Sequence, residues 1–185
     1  MSSLWLDAST AIESDPFHPG AEHDDVVVGA GLAGLTTALL LARAGRRVAV
    51  LEARFVGAVT TGNTTGKVSL LQGTTLSTVR RHHGDAVAQA YVDANREGQQ
   101  WLLRYCAEHG VPVQHQTAFT YADDASSVST ARQELDALRV AGLDATWHDE
   151  MDELPFRTHG GVGLADQLQL DAMDVLAELA ADLRE

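Results

Sequence analysis

Three glycines and one carboxylate carry the clearest chemistry in this chain. Gly29, Gly31 and Gly34 form G-x-G-x-x-G inside VVVGAGLAGLTTALLLARAGRRVAVLEAR, and Glu52 closes the apolar run that follows. The pattern suits a dinucleotide. Gly29 permits a tight turn from strand to helix, Gly31 lets the backbone approach a pyrophosphate, and Gly34 lets the helix pack closely on the strand. The helix start, with Ala30, Leu32 and Ala33, offers unpaired N–H groups and a positive dipole end to phosphate. Glu52 can accept both hydroxyls of an adenosine ribose, and a carboxylate there disfavours the 2′-phosphate of NADP. The glycines alone do not decide between FAD and NAD. The next segment bears on that choice: Gly57, Thr60, Thr61, Gly62, Asn63, Thr64, Thr65, Gly66 and Lys67 form a small, polar loop. Such a loop supplies N–H and hydroxyl donors to a pyrophosphate and a flavin. Its other reading is a surface loop with ordinary turn chemistry.

The elements that must position these residues follow from periodicity. Asp25 to Val28 reads as a short buried strand, Leu32 to Ala44 as a helix stopped by Gly45, and Arg47 to Leu51 as a second strand. Two strands joined by a helix make a right-handed βαβ unit with a parallel pair. Ala53 to Thr75 lacks helical period and reads as a long functional loop. Asp85 to His109 is the longest helix expected, with Val87, Ala90, Tyr91, Ala94, Trp101, Leu102, Tyr105 and Cys106 at helical spacing. Short strands are expected at Val111 to His115, Ala118 to Tyr121 and Ala145 to His148. Ser127 to Ala141 reads as a helix with Val128, Ala131, Leu135 and Leu138 on one face. Gly160 to Gly163 reads as a turn-rich approach to Val162–Ala165, and Ala172 to Leu183 as an amphipathic helix. Residues 1–24, polar and acidic with Pro16 and Pro19, read as an extended lead-in.

Composition narrows the function classes. The chain has 185 residues, 45% of them apolar and 21% charged, with 13 basic and 26 acidic side chains and a net charge of −13. That is a globular composition. The acidic balance argues against nucleic acid as partner and against a basic membrane-surface binder. Val26 to Ala42 lacks charge, but its glycines and threonines suit strand, turn and helix rather than a membrane span. Met1 to Gly20 has no basic start and no apolar block, so no signal peptide is read there. Cys106 is the lone cysteine, which excludes an intrachain disulfide and a cysteine-based metal site, and reads as a buried thiol. A cytoplasmic location is expected. His109, His115, His148 and His159 lack metal-ligand spacing, and no metal site is expected. The adjacent His82 and His83 read as a solvated helix start before Gly84. Asp123–Asp124 and Asp149, Glu150, Asp152 and Glu153 read as solvated acidic faces. No Ser/His/Asp set or G-x-S-x-G elbow is present.

The chain resembles the amino-terminal part of the FAD-dependent oxidoreductases of the D-amino-acid-oxidase (DAO) superfamily. It is most similar to the bacterial branch that often carries a C-terminal Rieske iron–sulfur domain. The residues behind this are Ser3-Leu4-Trp5-Leu6-Asp7, GAGLAGLTTALLLARAG, TTGNTTGKVSLLQG after Glu52, and ADQLQLDAMDVLAELA at 165–180. The resemblance implies an FAD domain and a substrate domain built on an antiparallel sheet. It implies that Gly29, Gly31, Gly34 and Glu52 bind the ADP half, with Ala53 and Arg54 near the ribose or phosphate. Thr61 to Lys67, with Thr60, would border the pyrophosphate and isoalloxazine. It implies flavin-dependent oxidation of an amine or amino-acid donor, a small-molecule substrate, and an electron-transfer partner or Rieske domain in full-length relatives. Asp171–Ala172 stands where that branch has His-Pro, and the Cys/His pairs of a Rieske module are missing.

The expected fold is therefore α/β: a Rossmann-like FAD-binding βαβ unit followed by part of an α+β substrate domain, an incomplete domain. The boundaries expected are 1–24 for the lead-in, 25–82 for the start of the FAD-binding domain and 83–185 for the start of the substrate domain. No catalytic acid or base stands out. Two alternatives are a truncated, non-catalytic FAD-binding remnant, prone to self-association through an open sheet edge, and an NAD-binding dehydrogenase module.

Overall fold

A computed structural model describes residues 3–8, 11–151 and 154–184; Asp152 and Glu153 of the acidic run lie outside them. The chain divides into two compact units that interleave along the sequence. The first comprises residues 1–66, 106–112 and 170–185, and the second residues 67–105 and 113–169. The boundaries read from sequence, after residues 24 and 82, cut the chain into consecutive pieces instead.

In the first unit, helix α1 spans Leu4–Ala8, strand β1 Asp25–Val28, helix α2 Leu32–Arg43 and strand β2 Val48–Leu51. β1 and β2 pair in parallel, Asp25 opposite Val48 and Val28 opposite Leu51, so the expected βαβ unit forms. α1 departs from the sequence reading: its segment reads as extended because Pro16 and Pro19 and the acidic residues dominate the composition of residues 1–24. The buried strand read at Asp25–Val28 needs correction. Val26 is 55% and Val28 84% exposed. β1 and β2 form a sheet of two strands. Period-two alternation then puts Val27 toward α2 and leaves Val26 and Val28 on the opposite face. Helix α6, Ala172–Asp182, packs on α2 and buries Ala172, Met173, Val175, Leu176, Leu179 and Ala180. Asp171 caps it, its side chain accepting from the Met173 N–H at 2.8 Å. Arg43 of α2 and Asp182 of α6 form an ion pair at 3.2 Å. Cys106 is fully buried, and burial pushes its thiol up.

The second unit is a four-stranded sheet covered by helices. Its elements are strand β3 at Lys67–Val68, helix α3 at Thr75–His83, helix α4 starting at Asp85 and ending at His109, strand β4 at Val113–Tyr121, helix α5 at Val128–Val140, strand β5 at Ala145–His148 and strand β6 at Gly161–Leu170. β6 is central: β4 lies on one side, and both β3 and β5 pair with the other. β3 sets Lys67 opposite Gln169, and β5 sets Ala145 opposite Leu164, both antiparallel. Leu71, Leu76, Val92, Leu135, Leu138, Val162 and Leu164 are among its core.

Several expectations shift here. The two short strands read at 111–115 and 118–121 are one strand, β4, because backbone pairing continues through the exposed Gln116 and Thr117. Of the glycines read as a turn at 160–163, Gly161 and Gly163 lie in β6 instead, and Gly160 precedes it at φ +89°. A Cβ at Gly163 would lie 2.6 Å from His148 Nε2 and 3.0 Å from Phe119 Cε1, so neighbouring side chains occupy that space. On α4, Val87, Ala90 and Ala94 are exposed, and Ala88 and Val92 are buried in their place. His82 and His83 close α3 rather than open a helix, where the negative dipole end suits basic residues.

One buried carboxylate organises this unit. Glu134 of α5 is 0% exposed. It accepts the N–H groups of Leu76 at 3.1 Å and Ser77 at 2.7 Å, two amides of the first turn of α3 that have no helical partner. Glu134→Ala is expected to destabilise the protein by about 2–4 kcal/mol, with Glu134→Gln losing less because one acceptor oxygen remains. Urea unfolding measures both, and equal losses would mean that charge rather than acceptance holds α3. Gly98 stands in the middle of α4, and a Cβ added there would meet nothing within 4 Å. Gly98→Ala is expected to raise stability by about 0.5–1 kcal/mol in the same assay.

Candidate functional site

The fingerprint turn occupies the carboxyl end of β1, where a parallel strand hands over to its helix. Gly29 adopts φ +105°, a conformation other residues rarely reach. The turn is tied back to β2 by the Gly29 N–H, which donates to the Leu51 carbonyl at 2.7 Å. Gly34 faces the turn so closely that a Cβ there would collide with the Gly29 carbonyl oxygen and lie 3.6 Å from Val27 Cγ1. Gly31, with extended backbone, is the residue before α2; a Cβ on it would sit 3.0 Å from Thr61 Oγ1. The first turn of α2 thus starts directly over the strand end, with the amides of Ala33 and Gly34 lacking carbonyls one turn earlier.

Glu52 is brought to this turn. Its Oε2 accepts the Ala30 N–H at 2.9 Å, and its Oε1 accepts the Arg54 N–H at 2.9 Å. The Ala30 amide first, then that of Arg54, holds the carboxyl below the ordinary glutamate value of 4.5. Each oxygen keeps one further acceptor direction. The carboxylate is exposed, so those directions face solvent.

The threonine-rich loop folds onto the same turn. The Leu32 N–H donates to Thr61 Oγ1 at 3.1 Å, and the Gly57 N–H donates to the Ala30 carbonyl at 3.0 Å. Thr61–Asn63 forms a single 3-10 turn after Thr60, with Asn63 Nδ2 donating to the Val59 carbonyl at 2.5 Å. Thr64 Oγ1 accepts the Gly66 N–H at 3.4 Å. Ala33, Ala53, Arg54, Thr60, Asn63 and Thr65 are exposed. The structure therefore gathers Ala30, Gly31, Leu32, Glu52, Arg54 and Thr61 into one bonded cluster. Lys67 is not part of that cluster; it belongs to β3 of the second unit.

Sequence reasoning missed two supports. Gly57 lies under α6: a Cβ on it would be 2.7 Å from Met173 Sδ and 2.8 Å from Leu176 Cδ1. The unassigned apolar face of α6 was the available signal. The other is α1, whose Trp5 indole N–H donates to the Thr64 carbonyl at 2.6 Å. Among the described residues, no group of three or more His, Cys, Asp or Glu could hold a metal. His109 instead lies 3.6 Å from Glu178 and 3.4 Å from Asp182. Asp124 accepts from Ser126 and Ser127 at the start of α5, which holds its carboxyl below the usual range. Trp101 stacks on buried Tyr105, ring centroids 5.3 Å apart. No helix among the described residues is long and apolar enough to cross a membrane.

Residues 24–185 match the family profile of the FAD dependent oxidoreductases, DAO. Over 150 residues, 80% of this chain, the sequence is 29% identical to YhfW of Bacillus subtilis (strain 168), described as a Rieske 2Fe-2S iron-sulfur protein, and spans 29% of it. The fold resembles L-proline dehydrogenase from P. horikoshii, with TM-score 0.66 and 17% identity, over 88% of this chain and 42% of that one. It also resembles L-amino acid deaminase from Proteus vulgaris, with TM-score 0.68 and 18% identity, over 94% of this chain and 41% of that one. The chain thus spans less than half the length of each of these proteins.

The close contact at Gly34 makes a direct prediction. Gly34→Ala is expected to cost about 3 kcal/mol or more, because the obstruction is backbone and cannot rotate away. Thermal unfolding beside Gly98→Ala measures this, and an unchanged midpoint would show that α2 has room to move.

Proposed function

The chain belongs to the DAO family of FAD-dependent oxidoreductases, and on that premise we propose that its first unit holds the ADP half of FAD in an enzyme that oxidises an amine or amino-acid donor. The observation that carries this reading is the joining of Glu52 to the fingerprint turn through the Ala30 N–H at 2.9 Å. That bond sets a ribose-accepting carboxylate beside the start of α2, the spacing an adenosine diphosphate needs.

The residues fit the group. Gly29, Ala30, Gly31, Leu32, Ala33 and Gly34 form the pyrophosphate turn, in which the missing Cβ of Gly31 keeps the approach to the helix amides open. Glu52 directs its remaining acceptor positions at the ribose hydroxyls, with Ala53 and Arg54 beside it. Thr60, Thr61, Gly62, Asn63, Thr64 and Thr65 border the pyrophosphate. Thr61 has a distinct part: its Oγ1 already accepts from Leu32, so its own proton is free to donate to a phosphate oxygen. When bound, FAD supplies a two-electron acceptor for hydride from the donor carbon.

The donor class rests on the family and on the named activities of the solved relatives. We also propose a cytoplasmic setting and, from the name of the curated relative, an iron–sulfur acceptor of electrons elsewhere in the polypeptide or on a partner. The remaining walls of the substrate site would come from the length of such enzymes that this chain does not span.

Purified protein is expected to retain flavin absorption bands after gel filtration with added FAD. A protein that retains none, and instead binds NAD, would overturn the reading. Glu52→Gln is expected to weaken FAD binding roughly tenfold, the loss of one or two charge-assisted hydrogen bonds. The pH dependence has a definite sign. The folded carboxyl titrates below 4.5, so its contribution is complete at neutral pH and is lost as pH falls through the lowered value. FAD affinity of the wild type should hold at neutral pH and fall below 4.5, whereas that of Glu52→Gln should not change there. Fluorescence titration across that range measures both.

A further inference from the structure

We infer that the amino-terminal arm, residues 3–7, is a positioning element for the threonine-rich loop, with Trp5 and Ser3 as the residues through which it acts. The matched family region begins at residue 24, so the arm lies before it. The inference rests on the flavin reading only for its consequence, not for the contacts themselves.

Residues 57–66 contain no strand and only one 3-10 turn; the carbonyls of Gly57, Val59, Thr60 and Thr61 are met within the segment, whereas those of Gly62 and Thr64 find their partners outside it. Both of those partners come from the arm. The Ser3 hydroxyl donates to the Gly62 carbonyl, and the Trp5 indole N–H donates to the Thr64 carbonyl at 2.6 Å. Packing follows the same two points. A Cβ at Gly62 would meet the Gly57 carbonyl oxygen first and then lie 2.6 Å from Leu6 Cδ2, and one at Gly66 would meet the Leu170 carbonyl oxygen first and then lie 3.1 Å from Trp5 Cζ2. Leu6 and Trp5 thus pack beside two glycines whose remaining space is closed by backbone. Leu4, on the other face of the arm, is 71% exposed.

The arm's own shape is set by Ser3. Its Oγ accepts the Leu6 N–H at 3.2 Å, and its carbonyl accepts the Asp7 N–H at 3.1 Å. Ser3 therefore closes the first turn of α1 and grips the loop with one hydroxyl. A helix of one turn has no stability of its own, so arm and loop order one another. The loop's opposite side is bonded to the fingerprint turn through Thr61 and Gly57. The segment between, residues 61–64, is held from both sides, and the arm is the half of that hold that lies outside the fingerprint. Without it, Thr61 would reach its hydroxyl position only part of the time, and binding of a phosphate there would weaken by that fraction.

The test uses the full chain with Trp5→Phe, which keeps an aromatic ring and removes the donor, Ser3→Ala as a second variant, and Leu4→Ala as a surface control. Hydrogen exchange of residues 61–66 is read in the absence of FAD, and FAD affinity by fluorescence titration. Trp5→Phe and Ser3→Ala are expected to speed exchange in residues 61–66 roughly tenfold while leaving β1 and β2 unchanged, and to weaken FAD roughly tenfold. Leu4→Ala should match the wild type, and Ser3→Thr should restore what Ser3→Ala loses. Loop exchange within twofold of wild type in both variants would overturn the inference. Faster exchange with unchanged FAD affinity would overturn the positioning role and leave a structural strap. If the wild type binds no FAD, the flavin reading fails alone, because loop exchange still decides whether the arm holds the loop.

Discussion

The close approach of Gly34 to the Gly29 carbonyl is the constraint on which the first unit rests. A methyl group at that position would overlap a backbone atom that has nowhere to go. Because none is present, α2 begins directly over the end of β1. The positive end of its dipole, Glu52 at the end of β2 and the Thr61 hydroxyl then converge on one turn. Had α2 stood further off, the Leu32 amide would miss Thr61, and the loop after β2 would lose one of its anchors. A helix-to-strand distance thus becomes the geometry of a phosphate site.

Two carboxylates do comparable work in the two units under opposite conditions. Glu134 is fully buried and spends both oxygens on the first turn of α3, so its role ends with the fold. Glu52 uses one direction of each oxygen on Ala30 and Arg54 and stays exposed, so acceptor capacity remains for a ligand. Backbone amides rather than cations partner both of them, which suits a chain with 26 acidic and 13 basic side chains. Exposure, not residue type, separates the structural carboxylate from the one available for binding.

Much of the first unit was legible. The strand, the helix, the second strand and the acid at its end follow from local rules of spacing, and the parallel register of β1 and β2 agrees with them. Longer helices were legible for the same reason: α4 ends where Gly110 and Pro112 stop it. Its buried face was not. Ala88 and Val92 are buried where helical spacing points to Val87, Ala90 and Ala94, since which stripe meets the sheet depends on partners distant in sequence. The glycines of β6 misled because the bulk that excludes a side chain belongs to His148 and Phe119 on other strands.

Sequence by itself determined the chemistry on offer: a glycine turn, a carboxylate at dinucleotide spacing and a loop of small donors. Those are properties of residue type and interval, and short-range backbone geometry enforces them. Tertiary structure decided which of these groups meet. Nothing local tells Thr61 to cap α2, α6 to cover Gly57, or Trp5 to satisfy Thr64. Each contact spans from about thirty to more than a hundred residues of chain, and its partner is selected by which buried polar group or apolar face would otherwise go unpaired. Val26 and Val28 show the converse, since a β-branched run reads as buried by pattern alone, and only the neighbours present decide whether it is covered.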